Sequence, residues 1–149
     1  AARHELLSRR GIDLEVEGLY DVPRIRIICN DQVHGSVDRA VRLLGLGSKS
    51  ILKVRSDKHC RVKRESLESV LIDNPHHLLN LVILQAGDIN TGSFDDFQEL
   101  IPLAHQYDAW VHIDGAFGLW ARASPKYFNY TKDIELADSW ATDGHKWLN

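Results

Sequence analysis

The chain has 149 residues, of which 44% are hydrophobic and 26% are charged, so it can bury the core of about one globular domain. Its net charge of −3, with lysines and arginines spread along the chain, predicts no nucleic-acid partner. The sequence has no apolar run of about eighteen residues, so it predicts no membrane span, and it shows no signal-peptide pattern. Cys29 and Cys60 lie far apart and form no metal-binding pair, so we expect two reduced thiols in a cytoplasmic protein.

Hydrophobic spacing and turn residues predict helices that alternate with strands along the chain. Ser36 is expected to cap a helix that continues to about Leu44, and Ser93 with Asp96 has the spacing of a capping box. The segment 121–132 is predicted to be a polar loop. The predicted elements are, in order, a helix at 1–11, a strand at 24–29, a helix at 36–44, a strand at 51–56, a helix at 64–74, a strand at 79–87, a helix at 97–107, a strand at 109–114 and a short helix that turns into a strand at 134–143.

The strands are nearly continuous apolar runs, which is typical of strands that are buried on both faces. Together with the alternation of helices and strands, these runs predict an α/β fold with a mostly parallel sheet and helices on both faces. The chain contains no Met and both of its ends look cut, so we interpret it as the interior part, residues 1–149, of a larger domain.

Polar residues follow four of the predicted strands at their carboxyl ends, where open α/β sheets bind ligands. We therefore expect one crevice that collects residues from all four strand ends. Asn90 and Thr91 are expected to shape a turn there. The other residues expected in this crevice are His34, Asp88, Asp114, Ala116, His145 and Lys146.

These residue types suit one cofactor. A lysine in a cleft can form an imine with a carbonyl group, and a buried carboxylate can hold a heteroaromatic nitrogen in its protonated form. A histidine ring can stack on a flat ligand. A lysine imine and an acidic partner for a pyridinium nitrogen are what proteins supply to pyridoxal phosphate (PLP).

Four motifs carry a resemblance to a known family. The stretch "ADSWATDGHKWLN" resembles the cofactor-lysine signature of the group II PLP-dependent amino-acid decarboxylases, which include the aromatic-amino-acid and glutamate decarboxylases. "VHIDGAFG", "NDQVHGSVDRAVRLLGLG" and "GDINTGSFDDF" resemble three further segments of that family, in the same order and with similar separations. The resemblance implies a partial PLP-binding large domain of fold type I, with both ends truncated and the phosphate-binding loop outside the chain.

The resemblance also implies a role for each motif residue. Lys146 forms the internal aldimine, and with His34 it makes up the catalytic pair. Asp114 pairs with the pyridine nitrogen, while His34 and Ala116 cover the two faces of the ring. Thr142 and His145 lie toward the phosphate.

Two positions depart from the family pattern. Gly115 replaces a more usual alanine, which we expect to loosen the turn while keeping the pairing of Asp114. Asp143 places a carboxylate close to the expected phosphate, so no contact is assigned to it.

The implied activity is decarboxylation of an L-amino acid by a cytoplasmic homodimer, without a nucleic-acid or membrane partner and without a metal. An aminotransferase or a carbon–carbon lyase of the same fold stays open, because the same lysine and aspartate serve those reactions. A metal-dependent hydrolase that uses His112, Asp114 and His145 is a second alternative, and a catalytically inactive binding relative is a third.

Overall fold

A computed structural model describes residues 1–148 and centres on one sheet. Its five strands are β1 (Ile25–Asn30), β2 (Ile51–Val54), β3 (Leu79–Gln85), β4 (Trp110–Asp114) and β5 (Ser139–Ala141). They lie in the order β2-β1-β3-β4-β5, and every neighbouring pair is parallel. The α-helices are α1 (Ala2–Ser8), α2 (Leu14–Glu17), α3 (Gly35–Leu43), α4 (Arg64–Ile72), α5 (Phe97–His105) and α6 (Gly144–Trp147). The predicted parallel α/β architecture is confirmed.

Helices cover both faces of the sheet. Ile27 and Ile28 are consecutive on β1 and therefore point to opposite faces, yet both are fully buried. Ile28 packs in a core with residues of α4 and α5, whereas Ile27 packs in a second core with residues of α1 and α3. Burial of both faces explains why the strands read as continuous apolar runs.

The strand order creates a switch point at the centre of the sheet. From β1 the chain continues to β2 on one side, and β3 then returns to pair with β1 on the other side. Ligands of open α/β sheets bind where the order reverses, outside the carboxyl ends of the strands. The segments that follow β1 and β3 therefore flank a natural crevice.

Two helices begin at residues other than the predicted caps. The expected Ser36 cap is wrong, because α3 has His34 at its N-cap and the His34 ring accepts a hydrogen bond from the Ser36 amide. The Ser93 cap is also wrong: Asp96 caps α5 through the Glu99 amide, in the usual manner of an N-cap aspartate.

Two further differences concern local structure. The predicted polar loop at 121–132 contains the end of one 3₁₀ helix, Gly118–Ala123, and the whole of another, Phe128–Thr131. Helix α2, which Asp13 caps, has too few residues to show a periodic pattern. Pro102 lies inside α5 without ending it. None of the helices described for residues 1–148 is long and apolar enough to cross a membrane.

Candidate functional site

A cleft of about 560 Å³ opens at the carboxyl edge of the sheet and receives residues that follow β1, β3, β4 and β5. Six residues were given a role toward the cofactor by the family resemblance. Four of them line this cleft: His34, Asp114, Ala116 and Lys146. These residues are up to 112 positions apart in the sequence, and the parallel sheet gathers them because all its strands end at the same edge. The other two, Thr142 and His145, are exposed and do not line the cleft.

Lys146 projects into the cleft from the short helix α6, which begins directly after β5. Its amine lies 3.4 Å from a carboxylate oxygen of Asp143 and 3.9 Å from the ring centroid of Phe117. Only 23% of the side chain is exposed. A salt bridge and a cation–π contact therefore hold a flexible side chain inside the cleft.

Asp114 is the last residue of β4 and is half-buried. Its Oδ1 accepts a hydrogen bond from the Ala116 amide at 3.2 Å. Within residues 1–148, Oδ2 of Asp114 has no hydrogen-bond partner. One oxygen thus fixes the carboxylate to its own turn, and the second is available to a ligand.

His34 stands on the part of the cleft that follows β1. Its Nδ1 lies 3.3 Å from the Ser36 amide, which donates to it, and 2.9 Å from the Ser36 hydroxyl oxygen. Because Nδ1 is the acceptor for the amide, the proton of the neutral ring belongs on Nε2. His34 therefore caps α3 and lines the cleft at the same time, while its stacking on a cofactor stays a prediction.

His112 was considered in the sequence only as a metal ligand, but its surroundings differ from those of a metal site. Its Nδ1 lies 2.8 Å from the Ser139 hydroxyl, and burial lowers the pKa of the ring although the nearby Asp114 charge acts in the opposite direction. The third proposed ligand, His145, is 72% exposed and lies outside the cleft that His112 and Asp114 line. No group of three potential metal ligands occurs within residues 1–148.

Gly115 does not loosen the turn, contrary to expectation. A Cβ at this position would lie 2.7 Å from Cβ of Leu119 and 3.0 Å from the carbonyl oxygen of Ala141. The turn after Asp114 is therefore tightly packed, and a side chain at position 115 would require Leu119 to move.

Phe117 and Asp143 also line the cleft, although no role was predicted for either residue. Besides its ring contact with Lys146, Phe117 accepts a hydrogen bond at its carbonyl from the Trp147 indole at 2.8 Å, which fastens α6 to the turn after β4. Two features of the sequence could have indicated these contacts: the aromatic residue in "DGAFG" and the tryptophan that follows the lysine.

A second cleft, of about 1000 Å³, adjoins the first at Phe117 and Ile89. Asp88 and Thr91 line this second cleft, so the expectation that one crevice collects the residues from all four strand ends is wrong for these two residues after β3.

Comparison with known proteins identifies the family. The family model for the pyridoxal-dependent decarboxylase conserved domain matches residues 3–149. The chain belongs to this family.

Relatives within the pyridoxal-dependent decarboxylase family agree with that assignment. An aromatic-L-amino-acid decarboxylase of Bacillus atrophaeus is 34% identical over 130 residues, which are 86% of this chain and 27% of that protein. The glutamate decarboxylase domain of a Vibrio parahaemolyticus diaminobutyrate-pyruvate transaminase and L-2,4-diaminobutyrate decarboxylase matches with a TM-score of 0.91 and 26% identity, over 99% of this chain and 33% of that one. A structure of Oryza sativa TDC with PLP matches with a TM-score of 0.80 and 27% identity, over 99% and 31% of the two chains. The chain thus spans about a third or less of these relatives.

The residues of the cleft fit the family's pyridoxal cofactor. Lys146 places an amine in the cleft, and Asp114 has a carboxylate oxygen without a partner among the described residues. The cleft has room for a flat ring beside His34 and Ala116. This is the set of groups that PLP chemistry requires from a protein.

Proposed function

We propose that the full-length protein is a PLP-dependent decarboxylase of an L-amino acid and that this cleft is its active site. The observation that supports the proposal most is that Lys146, Asp114 and His34, which come from three different strand ends, line one cleft. Membership of the family supports this reaction class, and the Bacillus relative bears the name of a decarboxylase.

In this proposal Lys146 would hold the cofactor covalently through Nζ and would give up that place to the amino group of the substrate. Asp114 holds a proton on the pyridine nitrogen, because an opposite charge at short range favours the charged form of that nitrogen. When bound, the pyridinium ring takes up the electron pair that remains when the bond from Cα to the carboxylate breaks. The part that Asp114 would play is to keep that nitrogen protonated, so that the ring can accept the electron pair.

His34 and Ala116 are proposed to enclose the two faces of the ring, with the His34 ring nearest to the bond that breaks. Such enclosure excludes water and keeps the reacting bond in one orientation. Thr142 and His145 are proposed to lie toward the phosphate at the start of α6. A homodimer in the cytoplasm, which the family resemblance implies, remains part of this proposal.

Borohydride reduction of the full-length protein in the presence of PLP tests the central claim. We expect a stable label on the peptide that contains Lys146, detected by mass spectrometry, and no label in Lys146→Ala. Lys126→Ala is the matched control, because the Lys126 amine also lies over an aromatic ring, 4.9 Å from the centroid of Tyr127, but Lys126 does not line the cleft. A label on another lysine of the wild-type protein would refute the assignment.

The type of reaction needs a separate measurement. Release of carbon dioxide from carboxyl-labelled L-amino acids is expected from a decarboxylase. An aminotransferase would instead produce an oxo acid without loss of the label, and a carbon–carbon lyase would cleave the side chain. Either of these outcomes would keep the roles of Lys146 and Asp114 but replace the proposed reaction.

A further inference from the structure

The carboxylate of Asp143 departs from the usual behaviour of an aspartate that begins a helix. Asp143 is the N-cap of α6, a position at which the side chain normally accepts a hydrogen bond from one of the first free amides of the helix. Within residues 1–148 the Asp143 side chain makes no such bond. Its Oδ2 lies instead 3.4 Å from Nζ of Lys146 and 3.9 Å from Nε2 of His145. Asp143 thus directs its charge to side chains of α6 rather than to the backbone.

The backbone of α6 brings the carboxylate and the amine together. The Lys146 amide donates to the Asp143 carbonyl at 3.2 Å, so one helical turn joins the two residues. Residues three apart in a helix lie on the same side of it, which places the Lys146 side chain beside that of Asp143. The Asp143 side chain is 39% exposed, so solvent weakens the ion pair without removing it.

The second contact of the Lys146 amine comes from the turn after β4. The amine lies 3.9 Å from the ring centroid of Phe117, and the Phe117 carbonyl accepts the hydrogen bond of the Trp147 indole. Because that hydrogen bond fastens α6 to the same residue, the ring and the carboxylate keep their places on either side of the amine. The amine is therefore held between a carboxylate of its own helix and an aromatic face of another segment.

Two carboxylates line the cleft that contains Lys146, and they differ in their partners. Asp143 forms a salt bridge with the lysine. Among residues 1–148 no salt bridge joins Asp114 to the lysine, and Oδ2 of Asp114 has no hydrogen-bond partner. The charge of the lysine is thus paired with Asp143, and Asp114 stays available to another positively charged group.

We propose that Asp143 and the ring of Phe117 form a holding site for the Lys146 amine whenever that amine is not bound to the cofactor. The inference rests on the proposed function, in which Lys146 gives up its place on the cofactor to the amino group of the substrate. Asp143 is then a positioning residue, because it acts on the reaction only through the lysine.

The holding site has two consequences for the reaction. It delays the return of the amine to the cofactor while the substrate is bound, and it still keeps the amine inside the cleft for the end of the cycle. It also keeps the lysine away from Asp114. An ammonium group beside Asp114 would compete with the pyridinium nitrogen for that carboxylate.

Competitive acetylation of the cofactor-free full-length protein measures how firmly the amine is held. Trace acetic anhydride labels each lysine at its own rate, which mass spectrometry resolves. We expect Asp143→Asn to accelerate the labelling of Lys146 about threefold, the factor that a partly exposed ion pair provides, and Phe117→Leu to have a similar effect through the lost ring contact. Asp143→Glu, which keeps a carboxylate, should restore slow labelling. Asp38→Asn is the matched control, because it removes the carboxylate of an exposed salt bridge with Arg42, and it should leave the rate of Lys146 unchanged.

Capture of PLP separates a holding site from a merely structural role. An amine that is no longer held reaches the cofactor sooner, so Asp143→Asn should acquire the borohydride-stable label on Lys146 about threefold faster than the wild-type protein. KM for the substrate should rise by a similar factor while kcat is nearly unchanged, because the lysine returns to the cofactor more readily. A loosened α6 would instead slow the capture of PLP and lower kcat.

The outcomes distinguish the holding site from the proposed function. Unchanged acetylation of Lys146 in both Asp143→Asn and Phe117→Leu would overturn the holding site, as would faster acetylation combined with slower capture of PLP. An unchanged KM in Asp143→Asn would also overturn it. A wild-type protein without a borohydride label on Lys146 would overturn the proposed function and with it the positioning role. A labelled wild-type Lys146 with equal acetylation rates in wild type and variants would overturn the role of Asp143 alone.

Discussion

At the scale of single residues, the side chains that bear the chemistry also hold their own surroundings together. Asp114 accepts the Ala116 amide, His34 caps α3, and Phe117 contacts both Lys146 and Trp147. Side chains fixed in this way lose little freedom when a ligand binds, which favours a precise arrangement of the reacting groups. A single substitution in the cleft is therefore expected to affect chemistry and local structure to different degrees.

Asp114→Asn separates these two effects. The amide oxygen can still accept the Ala116 hydrogen bond, so the turn should persist, but the negative charge is lost. We expect kcat to fall by about 100- to 1000-fold, as when one charge-stabilising group is removed from an active site. Borohydride should still label Lys146. Asp38→Asn, which alters an exposed carboxylate on α3 away from the cleft, is the control. Near-normal turnover of Asp114→Asn would indicate a purely structural carboxylate.

At the scale of elements, strand β5 and helix α6, which surround Lys146 in the sequence, are positioned by contacts with β4 and the turn that follows it. Strand β5 has only three residues and pairs with β4 at the edge of the sheet. The Gly115 amide donates to the Ala141 carbonyl at 2.9 Å, and Gly115 itself has no room for a side chain. The turn after β4 therefore works as a packed support for the segment that carries the lysine.

Gly115→Ala tests that support. The added methyl group would meet Cβ of Leu119 at 2.7 Å, so we expect a loss of about 1–3 kcal/mol in the free energy of unfolding, as is typical of overpacked sites. Gly35→Ala is the matched control, because a Cβ there meets nothing within 4 Å. That variant should change stability by less than about 0.5 kcal/mol. Urea unfolding of the full-length protein measures both, and equal stability of the two variants would contradict the packing argument.

At the scale of the whole molecule, one buried carboxylate ties the sheet to the segment after β2. Asp95 is 5% exposed and accepts the amides of Val62 and Gln85, each at 2.7 Å. Burial raises the pKa of Asp95 from 3.8 to about 6, although these two hydrogen bonds act in the opposite direction.

The stability of the protein should therefore depend on the protonation of Asp95. Because the folded state binds this proton more tightly than the unfolded state, the resulting stabilisation is fully present below about pH 4 and is lost as the pH rises through about 6. A shift of about two pKa units corresponds to about 3 kcal/mol. Urea unfolding between pH 4 and 8 should show this decrease in the wild-type protein and not in Asp95→Asn. Asp96→Asn controls for removal of a neighbouring carboxylate, and parallel profiles for wild type and Asp95→Asn would contradict the prediction.

The sequence by itself determined the parallel α/β class, the approximate strands and the motif residues that place the chain in its family. Apolar runs and motifs are local properties, so they can be read directly from the order of residues along the chain. Tertiary structure alone decided that Gly115 has no space for a methyl group beside Ala141 and that Ser139 joins Trp110 to His112. Each of these facts depends on a separation between atoms of different segments. Such separations are set only when five strands align at one edge and their connecting turns pack against one another.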